Sequence, residues 1–203
     1  MSKIDLKKDL KALYQPSAKE VSQVDVPSMQ FMMIDGAGDP NTSKDFRDAV
    51  EALYGVSYTL KFMLKKRGGF NDWGVMPLEG LWWTDDMSRF SMDEKDRWKW
   101  TVMIMQPEFI TEDHVREASA ELAGKKNPIA LPRLRFERFC EGFSAQIMHI
   151  GPYSAEGPTV ALLHDFIRKT GHTPRGKHHE IYLSDPGRTA PEKLKTIIRQ
   201  PME

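Results

Sequence analysis

Apolar residues recur along the chain at two spacings, and the switches between them outline its elements. At the amino end Leu6, Leu10 and Leu13 fall on one face of a short helix that Asp5 can cap and Pro16 stops. Residues 26–34, VPSMQFMMI, have the composition of a strand, and Asp35-Gly36-Ala37-Gly38-Asp39-Pro40 follows as a turn. Ser43 then caps a helix whose Phe46, Val50, Leu53 and Tyr54 form a buried stripe, ended by Gly68-Gly69. Strands are expected near 75–84 and 97–106. A modest helix over 111–122 carries Val115, Ala118 and Leu122 on one side, with Gly124 placed as its cap. The two prolines of 127–133 mark a connector, and a long strand candidate covers 134–150 with an interruption at Glu141-Gly142. Gly151-Pro152-Tyr153 is a turn into a helix that buries Leu162, Leu163, Phe166 and Ile167 before Gly171. Strands near 178–183 and 195–199 close the chain.

In this reading the order strand, helix, strand, strand occurs twice. LWWTD at 81–85 lies over IYLSD at 181–185, and WTVMIMQP ending at Pro107 lies over LKTIIRQP ending at Pro201. Gly36 and Gly151 each stand between a first strand and its helix. The expected fold class is therefore α+β: two tandem βαββ modules related by a pseudo-two-fold, with a ligand groove between them. One domain over 1–203 is expected, with repeat 1 at about 26–107, a helix-bearing connector at about 108–132, and repeat 2 at about 133–201.

Composition narrows the class of function. At 203 residues and 40% hydrophobic the chain can bury a core. Lys plus Arg equals Asp plus Glu at 29 each, so no global positive field draws in a phosphate backbone, and nucleic acid is not an expected partner. No apolar run approaches the roughly 20 residues that span a bilayer, and the charged start MSKIDLKKDL lacks a signal-peptide core. No membrane association and a cytoplasmic location are expected. The lone Cys140 forms no internal disulfide and no cysteine-rich zinc site.

Three segments then become recognisable. HIGPY at 149–153, EIYLSDP at 180–186 and KLKTIIRQP at 193–201 resemble the GyrI-like family of small-molecule-binding domains. DLKKDLKALYQP, VPSMQFMMIDGAGDPN and PLEGLWW resemble its stand-alone branch, so the likeness spans nearly the whole chain. The resemblance implies the doubled βαββ fold and a central pocket for multi-ring and cationic molecules. In some members the domain is the sensor of a transcription regulator; here the roughly 25 residues ahead of the first strand are too few for a DNA-binding helical domain. Some stand-alone members are hydrolases that open the cyclopropane ring of alkylating natural products. A detoxifying hydrolase is the leading expectation, and a non-catalytic multidrug-binding or sensing module the alternative. One departure is local: members often carry acidic residues directly after GPY, where this chain has Ser154 and Ala155 before Glu156.

The resemblance matches Glu180 to the glutamate at the floor of the pocket, where a carboxylate can balance a ligand cation or exchange a proton with water. Strand alternation puts Tyr182 on the same face as Glu180. Carried across the repeat, Trp82 takes the place of Tyr182 and Gly80 that of Glu180; a shift of one residue would substitute Trp83 for Trp82 and bring in Glu79. The five tryptophans all lie in the first half, so Trp82, Trp83, Trp98 and Trp100 are candidates for stacking on flat or cationic rings. His149 and Tyr153 of HIGPY are a further ligand-binding candidate and a second catalytic candidate, the Tyr153 hydroxyl able to hold a water. His178-His179-Glu180 is no metal triplet, because neighbouring strand residues face opposite ways. Neither metal nor cofactor is expected, and the protein is expected as a monomer or homodimer.

Overall fold

The computed structural model describes residues 4–87 and 94–203. Its fold is α+β, with antiparallel ladders throughout the strand pairs of the described residues. The expected order occurs twice: β2 (Met29–Ala37), α3 (Lys44–Arg67), β3 (Leu78–Trp83), β4 (Lys99–Gln106), and later β6 (Gly142–Ile150), α5 (Gly157–Lys169), β7 (His178–Tyr182), β8 (Lys195–Pro201). Chain contacts group into two compact units whose limits do not follow the repeats. The first holds 1–6, 29–76 and 83–139; the second holds 7–28, 77–82 and 140–203.

In the first unit β2 lies between β4 and β5 (Arg135–Phe139). The residues from Met29 to Ile34 are all buried, as a central strand covered on both faces requires. Helix α3 starts at Ser43, whose Oγ accepts from the Phe46 amide at 3.2 Å, and ends at Gly68 with φ 77°. Trp100 is the packing centre: its indole meets Phe46 edge-on at 5.3 Å and fills the space over Gly36, where a β-carbon would come within 2.1 Å of the ring. Helix α4 (Glu112–Lys125) opens with a capping box between Thr111 and His114 and runs through Gly124, which is therefore an interior residue; Lys126 is the cap.

In the second unit the strand order is β1 (Ser22–Val26), β6, β8, β7, β3, the last contributing its residues up to Trp82. On one face α5 buries Leu163 and Ile167 against Ala145, Ile147, Ile198 and Met202. Leu162, expected in the core, is 49% exposed because it projects from the flank of that helix. Other departures have equally local causes. The expected strand at 26–34 is two strands, β1 and β2, because Pro27 offers no ladder donor at the break. The candidate at 134–150 is likewise β5 and β6, parted where Gly142 takes φ 71°. The amino-terminal helix is two short turns, α1 (Leu6–Asp9) and α2 (Lys11–Tyr14), with Leu13 and Tyr14 buried.

A charged cluster occupies the face of this second sheet opposite α5. His179 on β7 pairs in register with Arg199 on β8, and Arg199 with Gln146 on β6, so the three share a face. His179 Nδ1 is 3.0 Å from both oxygens of Glu141, and its Nε2 is 3.0 Å from Glu79 Oε2. Arg199 donates to Glu141 Oε2 at 3.2 Å, to Gln146 Oε1 at 3.0 Å and to the Leu13 carbonyl at 2.8 Å. Tyr14 donates to Glu79 Oε1 at 2.7 Å, and Gln146 donates to the Ala12 carbonyl at 2.6 Å. Two carboxylates thus meet two cations out of water, and the amino-terminal segment is tied to them through α2.

Burial alone would lower the His179 pKa, but the facing Glu141 and Glu79 carboxylates outweigh it and hold the imidazole at about 9. Burial would likewise raise Glu141, yet His179 and Arg199 hold it at about 2. Burial and the Glu79 charge push the Tyr14 phenol well up, so it stays a donor. The raised His179 contributes stability fully present below its ordinary 6.5 and lost as pH rises through about 9. The depressed Glu141 contributes stability present above its ordinary 4.5 and lost as pH falls toward about 2. Thermal melts should therefore show a plateau between these ordinary values with a loss on each side. His179→Gln should cost about 3–5 kcal/mol and flatten the alkaline limb; an unchanged alkaline limb would remove His179 as its source.

Candidate functional site

Beside this cluster, and one residue along the same strand, β7 turns Glu180 to the opposite face. Antiparallel register sets Gly80 against Glu180, Leu78 against Tyr182 and Trp82 against His178. Gly80 and Glu180 are the pair that the repeat made equivalent, and their direct opposition is what a local two-fold between β3 and β7 produces. This register places Trp82 on the face of Glu180 and puts Glu79 on the other face.

Glu180 is only 6% exposed. The Tyr182 hydroxyl donates to its Oε2 at 2.7 Å, and His178 Nε2, at 3.2 Å, donates to its Oε1. The two neighbours at i−2 and i+2 thus steady one carboxylate from both sides. Burial, then the charge of Glu180, raises the Tyr182 pKa well above its ordinary value, and Glu156 and Tyr153 add to the shift. Tyr182 is consequently a permanent donor at neutral pH. Tyr153 meets Tyr182 edge-on, with ring centroids 5.6 Å apart at 80°.

The turn carrying Tyr153 is held by His149. Its Nδ1 is within 2.9 Å of Thr159 Oγ1 on α5, and its Nε2 is within 3.3 Å of the Pro152 carbonyl. Gly151 makes the reversal at φ 143°, where a β-carbon would also crowd His149 Nε2 at 3.2 Å. His149 is therefore occupied in shaping the turn. Glu156, three residues beyond Tyr153, is buried while Ser154 and Ala155 are exposed, so the acidic group at the helix entry is delivered one or two positions later than GPY would suggest.

Trp82 is 2% exposed, and its indole covers Gly80: a β-carbon there would come 2.8 Å from Nε1 and 2.9 Å from Cε2. The missing side chain at Gly80 is what lets the ring cover the position paired with Glu180. Of the nine residues singled out from sequence, the second unit brings together Glu180, Tyr182, Tyr153 and Trp82, with His149 behind them. Glu79 is engaged in the Tyr14 and His179 cluster on the far face. Trp83, Trp98 and Trp100 belong to the first unit, where Trp83 is half-buried, Trp98 lies under the Lys95 ammonium at 5.4 Å, and Trp100 is core. His178 and Glu156 were not singled out from sequence; strand parity with Glu180 was the available signal for His178, and the acidic residues that follow GPY in similar proteins were the signal for Glu156. Among the described residues no group of three or more His, Cys, Asp or Glu is arranged to hold a metal. No helix among them is long and apolar enough to cross a membrane.

The chain matches a family model described as the GyrI-like small molecule binding domain over residues 19–202. Solved structures from Listeria innocua are similar along nearly the full length. One, an uncharacterized conserved protein, is 40% identical with a TM-score of 0.91, covering 98% of this chain and 100% of its own. A second, described as a hydrolase, is 39% identical with a TM-score of 0.89, covering 100% of both chains. A third, also described as a hydrolase, is 39% identical with a TM-score of 0.86 over 98% of this chain and 100% of its own. No curated protein matches the chain.

Replacing Gly80 by Ala should displace the Trp82 indole and shift tryptophan emission and near-UV circular dichroism. Gly124→Ala is the control, since a β-carbon there meets nothing within 4 Å; it should leave the spectra alone and stabilise α4 by up to about 1 kcal/mol. Identical spectra for Gly80→Ala and wild type would contradict the placement of the indole.

Proposed function

The chain belongs to the GyrI-like small molecule binding domain family, and on that premise we propose that it binds planar, hydrophobic or cationic molecules at Glu180 and hydrolyses cyclopropane-bearing electrophiles among them. The observation that carries this reading is a carboxylate 6% exposed, held by Tyr182 and His178 and paired in register with Gly80, which the Trp82 indole covers. Aromatic faces take flat rings by stacking and cations through their quadrupole, while the carboxylate supplies the counter-charge. For hydrolysis, Glu180 and Tyr153 hold a water; Glu180 takes its proton as the oxygen bonds to a ring carbon, the strained carbon–carbon bond breaks with its electron pair passing to the electron-withdrawing group conjugated to the ring, and the resulting anion takes a proton back from Glu180. Little beyond orientation, a base and a water is needed. The description of similar Listeria proteins as hydrolases supports turnover. We place this detoxifying activity in the cytoplasm.

A second reading, a binding or sensing module without turnover, is favoured by the two donors on Glu180, which suit a fixed counter-charge better than a strong base. Mass spectrometry of a cyclopropane-bearing alkylator incubated with the protein separates the two.

Glu180→Gln keeps the shape and removes both charge and proton acceptance. Ring-opening turnover should fall about 10²–10⁴-fold, and affinity for a planar cation should drop. A neutral planar ligand should bind as before, since stacking on Trp82 and Tyr182 needs no carboxylate. Wild-type turnover together with wild-type cation affinity would make Glu180 a structural residue.

A further inference from the structure

Helix α3 of the first unit carries a row of aromatic side chains on the face turned away from its buried residues. The helix buries Ala49, Leu53, Val56, Leu60 and Leu64 inward. Outward, Tyr54 stacks on Tyr58 at 6.2 Å and 24°, and Tyr58 on Phe62 at 6.3 Å and 20°. Tyr58 is 48% exposed and Phe62 58%. Intrahelical stacking at i, i+4 holds the rings as one flat strip instead of leaving them as scattered surface residues.

The strip continues at both ends in exposed residues of opposite charge, Glu51 and Lys65. At 100° per residue, Glu51, Tyr54, Tyr58, Phe62 and Lys65 all fall within an arc of about 80°. Their spacings read the same in both directions from Tyr58: four to each aromatic neighbour, then three to each charge. A surface with that property is self-complementary under a two-fold axis. Laid antiparallel on a second copy, Tyr58 meets Tyr58, Tyr54 meets Phe62, and each Glu51 meets a Lys65. Parallel alignment would set like charges together instead. Lys65 has a competing contact with Asp72, but at 3.9 Å and with the lysine side chain 62% exposed it is weak enough to exchange.

We propose that this face of α3 is a homodimerisation surface, in which two copies pack their α3 helices antiparallel about Tyr58 with reciprocal Glu51–Lys65 ion pairs. The stripe is about 21 Å long and one side chain wide, less than the roughly 800 Å² per partner of a standard stable interface. The dimer is therefore a weak one, forming in roughly the 10 μM–1 mM range.

Sedimentation equilibrium across that range tests it, with circular dichroism as a check that each variant is folded. Wild type should show a concentration-dependent monomer–dimer equilibrium. Tyr58→Glu should weaken it roughly 100-fold by placing two carboxylates at the axis. Glu51→Lys and Lys65→Glu should each weaken it roughly tenfold, and the double variant, which restores opposite charges in reversed order, should recover wild-type dimerisation. A wild type monomeric throughout, a Tyr58→Glu protein that still dimerises, or a double variant weaker than either single one would overturn the proposal; the first of these would assign the strip to some other partner.

Discussion

His179 can sit in the interior of the second unit only as an imidazolium, because both its ring nitrogens face carboxylates at 3.0 Å. A neutral ring would leave one of those carboxylates against a lone pair at a site shielded from solvent. The positive charge in turn holds Glu141 ionised, and Glu141 is shared with Arg199. Each group is tolerable only because the others are there. A buried cluster of this kind adds little net stability over an apolar core, but removing one member is costly, so it specifies one arrangement of its strands. The arrangement it specifies is the lateral order of β3, β7, β8 and β6, together with the docking of α2 through Tyr14 and the Leu13 and Ala12 carbonyls.

That constraint matters for the other face. A strand slip of one residue exchanges every side chain between faces. If β3 slipped against β7, Glu79 would replace Gly80 opposite Glu180, setting two carboxylates together and losing the gap that the Trp82 indole fills. The charged cluster fixes the register, and the register sets Glu180 across from Gly80 and the indole that covers it. Fixation and the proposed recognition are thus divided between the two faces of one strand, at adjacent residues His179 and Glu180.

Much of this was legible in the sequence, for physical reasons that can be named. The repeat gave the order of elements because each βαββ module needs the same succession of hydrophobic periods. Strand parity gave Tyr182 with Glu180, and the repeat offset gave Gly80 and Trp82. The choice between Trp82 and Trp83 stayed open because period-two patterns on two buried faces look alike when shifted by one. The charged cluster was invisible: Tyr14, Glu79, Glu141, His179 and Arg199 are spread over most of the chain, and nothing local marks a charged residue whose partner is far away in sequence. Glu79 was accordingly read as a ligand contact when its carboxylate is committed to Tyr14 and His179. The excess of tryptophan misled in the same way. Trp100 is consumed by the space over Gly36, a pairing that only the fold brings about.

On the proposed function, ligands meet this protein on the Glu180 face of β7 while the His179 face is closed structure. A crystal structure with a planar organic cation tests it most directly. The ligand ring should lie against Trp82 and Tyr182, with its charge within about 6 Å of the Glu180 carboxylate and the cluster around His179 unmoved. A cation seated among Glu79, Glu141 and His179, or bound with Glu180 still remote from it, would contradict the account.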